Sequence, residues 1–492
     1  MKYKLLGLTA CMLSIVIAVL APLTVSGHAL KDRVHQHREG VPETACEHEE
    51  DVLCTYLPIV EINTGGQTIP GRPVKDSEEK YTLSEDGETY ITADIRIIGR
   101  DSSEYHHTYD APDVESAVRI RVRGNSSRSF EKPSYALKLV DDKGKNNFCE
   151  IMGMDAHSDW VLYGPWLDKT AIRNYMFYNL SGEIMDYAPN VRYCEVIVDG
   201  DYQGLYLMTE KITAGTDGSR LDLKVNAKGN TYTGYLLRLD HRKADEQPLN
   251  TFTDYTYIQE PELMLQLEFP GEKNRSSEME EEIRRDFSEF EKSLYSYDYN
   301  DKKYGYKART DMDDFIDYFI INEITGNLDA GNFSTYIYKN ADGRLRLCVW
   351  DFNNACDNYF DGEQGYRGLF MPWRQWFWMM VKDEDFTDRT IYRYRELRKG
   401  VLSEGNMDAY IDETLKFIEP ALERNDERWG SVSEQASKLL KPESRNIESR
   451  DEAEGQLKGY LHNRGEWLDE NIETLRQFSA PSRTKKFNEV ND

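Results

Sequence analysis

The chain has 492 residues, which is long enough to bury a large core without disulfide or metal staples. Its 61 Lys and Arg stand against 88 Asp and Glu, a formal net charge of −27, and this argues against sequence-independent binding to a nucleic-acid backbone. With 39% hydrophobic and 12% aromatic residues it carries enough apolar side chain to fold rather than stay disordered.

Lys2 and Lys4 precede an uncharged, almost wholly apolar stretch from Leu5 to Val25. Residues 1–29 therefore read as an export signal or a membrane anchor, which places the protein outside the cytosol, secreted or at the cell surface, with membrane contact only through this segment. Residues 30–56 are polar, rich in His and Glu and without periodicity, and read as a linker. Six cysteines follow the apolar segment. Cys46 and Cys54 bracket a short acidic loop and are the expected disulfide, whereas Cys194 and Cys348 are expected to be buried thiols. The nine histidines are scattered, His106-His107 being the one adjacent pair, and no metal-binding spacing of Cys and His occurs, so a structural zinc site is not expected.

From Leu57 to Val140 short alternating runs are broken by Gly, Pro and Asp clusters, which predicts strands joined by turns. Asp199-Gly200 between Val191–Val198 and Gly204–Met208 predicts a tight hairpin, and a further strand is expected over Gly234–Leu239. Helical spacing then takes over: Met279, Ile283, Phe287, Phe290 and Leu294 share one face, and a wide apolar stripe runs from Met312 to Ile324. Thr310 with Asp313 resembles a capping box for that second helix, and Gly326 should end it. Helices are also expected around 392–402, 407–422 and 460–478. No internal repeat is present, so the reading is one α+β domain over 57–480, β-rich in its first half and helical in its second, with a polar tail at 481–492.

The stretch Asn327-Leu328-Asp329 to Ser334, the strand after it, Asp342-Gly343 and the strand leading to Trp350-Asp351-Phe352-Asn353 predict a hairpin whose mouth gathers polar residues. Asp351 should fall opposite a residue between Asn332 and Ser334. A carboxylate in each loop suits a hard divalent cation, with Asp329 placed to orient or deprotonate a hydroxyl. The plainer alternative is that these Asp and Asn residues bond their local backbone. The loop Arg123-Gly124-Asn125-Ser126-Ser127 can offer backbone amides and hydroxyls to phosphate, with Lys138 on the strand behind, though such a run is commonly a simple turn. The aromatic run Met371 to Met380 reads as core and the acidic block Glu278 to Glu282 as a solvated helix face.

Together these segments resemble the spore coat protein H (CotH) kinase-like family: Arg-x-Arg-Gly-Asn-Ser-Ser with Lys132 and Tyr-Ala-Leu-Lys-Leu, Trp160, Asp168, Arg173-Asn174, Gly204-Leu205-Tyr206 with Glu210, then Asp329 and Trp350-Asp351-Phe352. The resemblance spans about 57–475. It implies a much-diverged protein-kinase-like fold and an atypical secreted or spore-coat kinase that uses ATP with Mg²⁺ or Mn²⁺ to phosphorylate Ser-rich proteins. By it, Asp329 takes the catalytic role and Asp351 the metal role, with Asn332 and Asn353 as further metal ligands. Trp350 and Tyr235 become candidates to sandwich adenine, with sheet core as the plainer alternative, above all for Tyr235, and Arg173 and Glu210 lie near the nucleotide, with Arg173 binding phosphate or the two paired with each other. Two departures stand out: Asn353 sits where the family more often has Asp, and Ser334 where it has Asn, with Asn332 or Asp357 as possible substitutes. The competing expectations are a non-catalytic surface or coat scaffold, and a carbohydrate-acting enzyme with Asp329 and Asp351 as its acid pair.

Overall fold

The computed structural model describes residues 29–47, 52–75, 80–215, 220–224, 233–243, 246–434 and 439–479. The apolar leader and the polar tail read from the sequence lie outside these, Ala29 apart. Among the described residues no helix is long and apolar enough to cross a membrane.

Alternating side chains in the first half produce strands with one apolar face, and the chain buries those faces by closing a sheet on itself. Strands β1 (Ile59–Asn63), β2 (Ile91–Ile98), β3 (Val114–Arg123), β4 (Ser134–Val140), β5 (Asp159–Tyr163), β6 (Val191–Val198) and β7 (Asp201–Glu210) form a barrel in the order β6-β7-β5-β4-β3-β2-β1. Every pairing is antiparallel except the seam, where β1 runs parallel to β6 with Ile59 opposite Glu195. Val60, Ile95, Ile120, Leu137, Trp160 and Met208 fill the interior. The expected hairpin is present: Val198 pairs with Asp201, and Asp199 and Gly200 both have positive φ, 50° and 80°, the conformation a two-residue turn of this kind demands.

A second sheet of four antiparallel strands has the order β9-β8-β10-β11, with β8 (Tyr235–His241), β9 (Leu263–Phe269), β10 (Thr335–Lys339) and β11 (Arg346–Cys348). The helical half thus contributes two strands, β10 and β11, to the last sheet of the β-rich half. Around it pack α1 (Arg173–Ile184), α2 (Ser277–Leu294), α3 (Met312–Thr325), α4 (Glu384–Leu397), α5 (Glu404–Trp429) and α6 (Arg450–Asn471), and the largest hydrophobic core lies between these helices, the sheet and the outer face of β6 and β7. Every residue of α3 except Asp313 is buried. Its cap is Asp311, whose carboxylate accepts from the Asp314 amide at 3.4 Å, one residue later than the capping box read from the sequence; Thr310 donates instead to the Tyr306 carbonyl at 3.1 Å. Gly326, left-handed at φ 55°, ends the helix as expected.

The larger departure concerns 30–56. The described part of this segment is docked on the domain. Arg33 donates to the Asn179 side chain at 2.9 Å, and His35 meets the Tyr410 hydroxyl at 3.0 Å. Gln36 is buried, and its side-chain amide both donates to the Tyr193 carbonyl (3.1 Å) and accepts from the Tyr193 amide (2.7 Å). Tyr193 lies on β6 before the stretch that β1 covers, so one side-chain amide stands in for a missing strand. A polar, aperiodic sequence does not distinguish this from a linker, because the contacts use hydrogen bonds rather than an apolar face. Gln36→Ala, which orphans both Tyr193 backbone groups, should lower unfolding free energy by about 1–3 kcal/mol in urea titration; an unchanged midpoint would mean the segment is a tether only.

Candidate active site

The expected hairpin forms, with Tyr336 paired with Cys348 and Ile337 with Leu347. The pairing ends there, and Ser334 and Asp351, both at positive φ, turn the two loops at its mouth out of the extended register. The two loops are sewn together: the Asn327 side chain donates to the Asp351 carbonyl at 3.1 Å, and the Asn354 side chain donates to the Asp329 carboxylate at 2.8 Å. Asp351 sits in the left-handed region at φ 63°, held by its amide on the Tyr178 hydroxyl (2.9 Å) and by the Phe352 amide on the Asn174 side chain (2.7 Å), both from α1.

The electrostatics are those of a crowded anionic centre. Burial pushes the Asp351 carboxyl up to about 6, and the nearby Asp329 adds to the effect. Asp329 is also raised, again mainly by burial, against the Asn354 hydrogen bond and the neighbouring His241 and Arg374. Asp240, at the end of β8, acts on both carboxylates, and Arg123, at the end of β3, offsets Asp351. The Arg123 guanidinium lies 5.7 Å from the centre of the Trp350 ring. Arg374 is brought in from the aromatic run, because the Glu323 carboxylate near the end of α3 accepts from the Phe370 and Met371 amides, at 2.9 and 2.7 Å, and fixes that segment. The run is otherwise core, as read, apart from Trp373, which stays exposed against Phe478.

The other residues singled out in the sequence fall in different places. Asn125 and Ser126 are exposed, on the short helical turn that follows β3 and Arg123. Lys138 points outward from β4 and meets Asp159 at 3.2 Å; it lies four residues, roughly 13 Å of strand, from Ser134, the partner of Arg123. Arg173 and Glu210 are not paired. Arg173 is fully enclosed, bonded to Asp168 (2.5 Å), the Ala355 carbonyl (3.0 Å) and the Gln456 side chain (2.6 Å), which makes it the fastener of the loop after Asp351. Glu210 lies 3.7 Å from Arg220 and accepts from the Asn190 amide at 2.8 Å. Trp350 and Tyr235 do not form a slot. Tyr235 faces the helix core, opposite Lys339 and bonded to Asp286 on α2 at 2.7 Å, while Trp350 lies beyond the far end of the β10–β11 pairing. The amide oxygen of Asn332 accepts from the Gln375 amide (3.0 Å) and that of Asn353 from the Tyr163 hydroxyl (2.7 Å). Asp357 is tied to Arg445 at 2.8 Å.

Asp240, His241, Arg374 and Asn354 were not singled out in the sequence. Asp240 had one usable signal, an acid just past a predicted strand whose pairing partner ends at Asn332–Ser334.

Two half-buried acids beside two arginines, at the mouth of a hairpin and under the rim of a barrel, define a protein with an anionic, oxygen-lined centre. The family model of the CotH kinase protein matches residues 120–468, and the chain belongs to that family. No curated protein gives a significant match.

The raised Asp351 carboxyl has a consequence for stability. The folded chain holds this proton more tightly than the unfolded chain, so stability falls as pH rises from 3.8 to about 6 and stays lower above that window. Asp351→Asn keeps a residue that tolerates positive φ and removes the charge. In chelator at neutral pH the variant should be more stable than wild type by about 2–3 kcal/mol, with a flatter pH profile across that window; urea titrations at several pH values check it, and a destabilised variant would show that Asp351 is not under repulsion.

Proposed function

We propose that this member of the CotH kinase family is an exported, metal-dependent protein kinase of diverged kinase-like fold that transfers the γ-phosphoryl of ATP to Ser hydroxyls of a Ser-rich partner. The observation that carries the reading is the meeting of Asp329 and Asp351, both raised by burial, with Arg123 and Arg374 at their edges. The apolar segment from Leu5 to Val25 supports export.

The centre fits a divalent cation: its donors are carboxylate oxygens whose charged forms are disfavoured by burial, and a hard cation offsets that cost. Asp351 would hold Mg²⁺ or Mn²⁺, with Asp240 and Asp329 beside it. When bound, the cation supplies charge neutralisation across the phosphate oxygens. The protein's own groups do the rest. Asp329, raised toward neutrality and oriented by Asn354, accepts the proton of the acceptor hydroxyl at its carboxylate. Arg123 and Arg374 stabilise charge that builds on the transferring group. The exposed Asn125 and Ser126 turn at the end of β3 can close over phosphates with backbone amides and hydroxyls. Trp350, beside Arg123, offers an aromatic face for the base.

One observation favours the second reading, a non-catalytic scaffold of the same fold. The amide oxygens of Asn332 and Asn353 are both engaged by protein groups, which leaves the carboxylates as the evident ligands.

Thermal unfolding and phosphoryl transfer separate the two. Wild type should gain stability from ATP with Mg²⁺ or Mn²⁺ and label a Ser-rich acceptor, because a ligand that binds only the folded state raises the midpoint. Asp351→Asn should lose both responses. Asp329→Asn should keep the nucleotide shift while turnover falls by about two powers of ten or more. A wild type inert in both assays, like its variants, would establish the scaffold.

A further inference from the structure

Apart from the acidic centre, three soft or borderline donors converge where the N-terminal segment meets the barrel. Cys54–Thr55 and His106–His107 form a two-stranded ribbon in which Cys54 is paired directly with His107. The Cys46 sulfur lies 3.4 Å from His107 Nε2, and the ligand atoms of Cys46, Cys54 and His107 all fall within 4.8 Å of one another. The structure carries both cysteines as thiols, so the bridge expected from their spacing is not the arrangement found.

The histidine is set up as a ligand. Its Nδ1 lies 3.2 Å from the Asp110 carboxylate, and its backbone amide donates to the same oxygen at 2.7 Å. An imidazole whose Nδ1 carries the proton toward a carboxylate turns the Nε2 lone pair the other way, here toward the Cys46 sulfur. Tyr109 stacks flat on the ring at 4.9 Å and 3° and limits its rotation. His107 is buried, and the two cysteines are half-buried. Around a tetrahedral Zn²⁺ the edge between a thiolate sulfur and an imidazole nitrogen is ~3.6 Å, and between two sulfurs ~3.8 Å. The observed sulfur to nitrogen distance is close to that edge. A thiol hydrogen-bonded to imidazole would account for that one distance, and a thiol contact also joins Cys54 to Cys46; a disulfide would not account for the oriented histidine.

We propose that Cys46, Cys54 and His107 form a Zn²⁺ site, with Asp110 orienting the histidine and the fourth position open to water. The site clamps the N-terminal segment to the ribbon that flanks β1, and it is independent of the nucleotide chemistry, since it shares no residue with the acidic centre.

The test uses the full chain, purified under reducing conditions, equilibrated with Zn²⁺ and then passed into metal-free buffer. Mass spectrometry of the metal content should find one Zn²⁺ per chain in wild type, in Asp351→Asn and in Cys149→Ser, and none in Cys54→Ser or His107→Ala. Asp110→Asn guards against loss of folding in those variants: it should keep the fold, as circular dichroism will show, and bind Zn²⁺ about 10- to 100-fold more weakly in competition with a chelator. Chelation of wild type should lower its thermal midpoint, and Zn²⁺ should restore it. Two results overturn the proposal: wild type that retains no more Zn²⁺ than His107→Ala, or non-reduced peptide maps of exported protein in which Cys46 and Cys54 are bridged.

Discussion

The site depends on holding two carboxylates where burial disfavours their charged forms, with Asp329 raising Asp351 further. Left alone, Asp329 and Asp351 would separate or take up protons, and a loop pair free to relax would do the former. The protein prevents it by making the backbone around them over-determined. Asn327 binds one loop to the other, α1 supplies Tyr178 and Asn174 beneath Asp351, and Arg173 fastens the following turn through the Ala355 carbonyl. Each of these is a neutral or internally paired group, so the rigidity adds little charge to the centre. What remains is a pair of carboxylates held where their charged forms are disfavoured.

The same scheme explains why α3 is so fully enclosed. Its C-terminal end must be immobile, because Asp329 follows three residues after Gly326. Arg464 from α6, itself buried, donates to the Glu323 carbonyl at 3.1 Å, and the Glu323 carboxylate in turn pins the segment that carries Arg374. The buried Arg464–Glu323 ion pair therefore sets the position of both a carboxylate and a guanidinium at the centre. Buried pairs of this kind are weak contributors to net stability, and specifying a geometry is the better account of this one.

Much of the fold was legible because it rests on local signals. Alternation marked the strands, Asp199-Gly200 and Asp342-Gly343 marked turns, and the 3.6-residue stripes marked α2 and α3. The hairpin followed from one short register. What the sequence could not show were pairings between distant segments. Whether Tyr235 and Trp350 share an end of the sheet depends on the β8–β10 register, set across about a hundred residues, and they do not. Asp240 is brought in by the same pairing. Gln36, Arg374 and His107 are likewise single polar residues whose roles come from a partner far along the chain, and no periodicity announces such contacts. Arg173 and Glu210 show the converse: two charged residues in suggestive positions, each paired elsewhere.

The left-handed backbone at Asp351 has an evolutionary side. At φ 63° the residues that fit without strain are few, chiefly Gly, Asn and Asp. Asp and Asn codons differ by one base, so a single transition exchanges an anionic ligand for a neutral one while the loop keeps its shape. Selection on folding alone would favour the neutral form wherever the cation is not needed, since it removes buried charge. A lineage using this architecture can thus retire its chemistry in one step and keep the scaffold intact, and the reverse step is equally short. Catalytic and purely structural proteins can share such a fold without any intermediate that fails to fold.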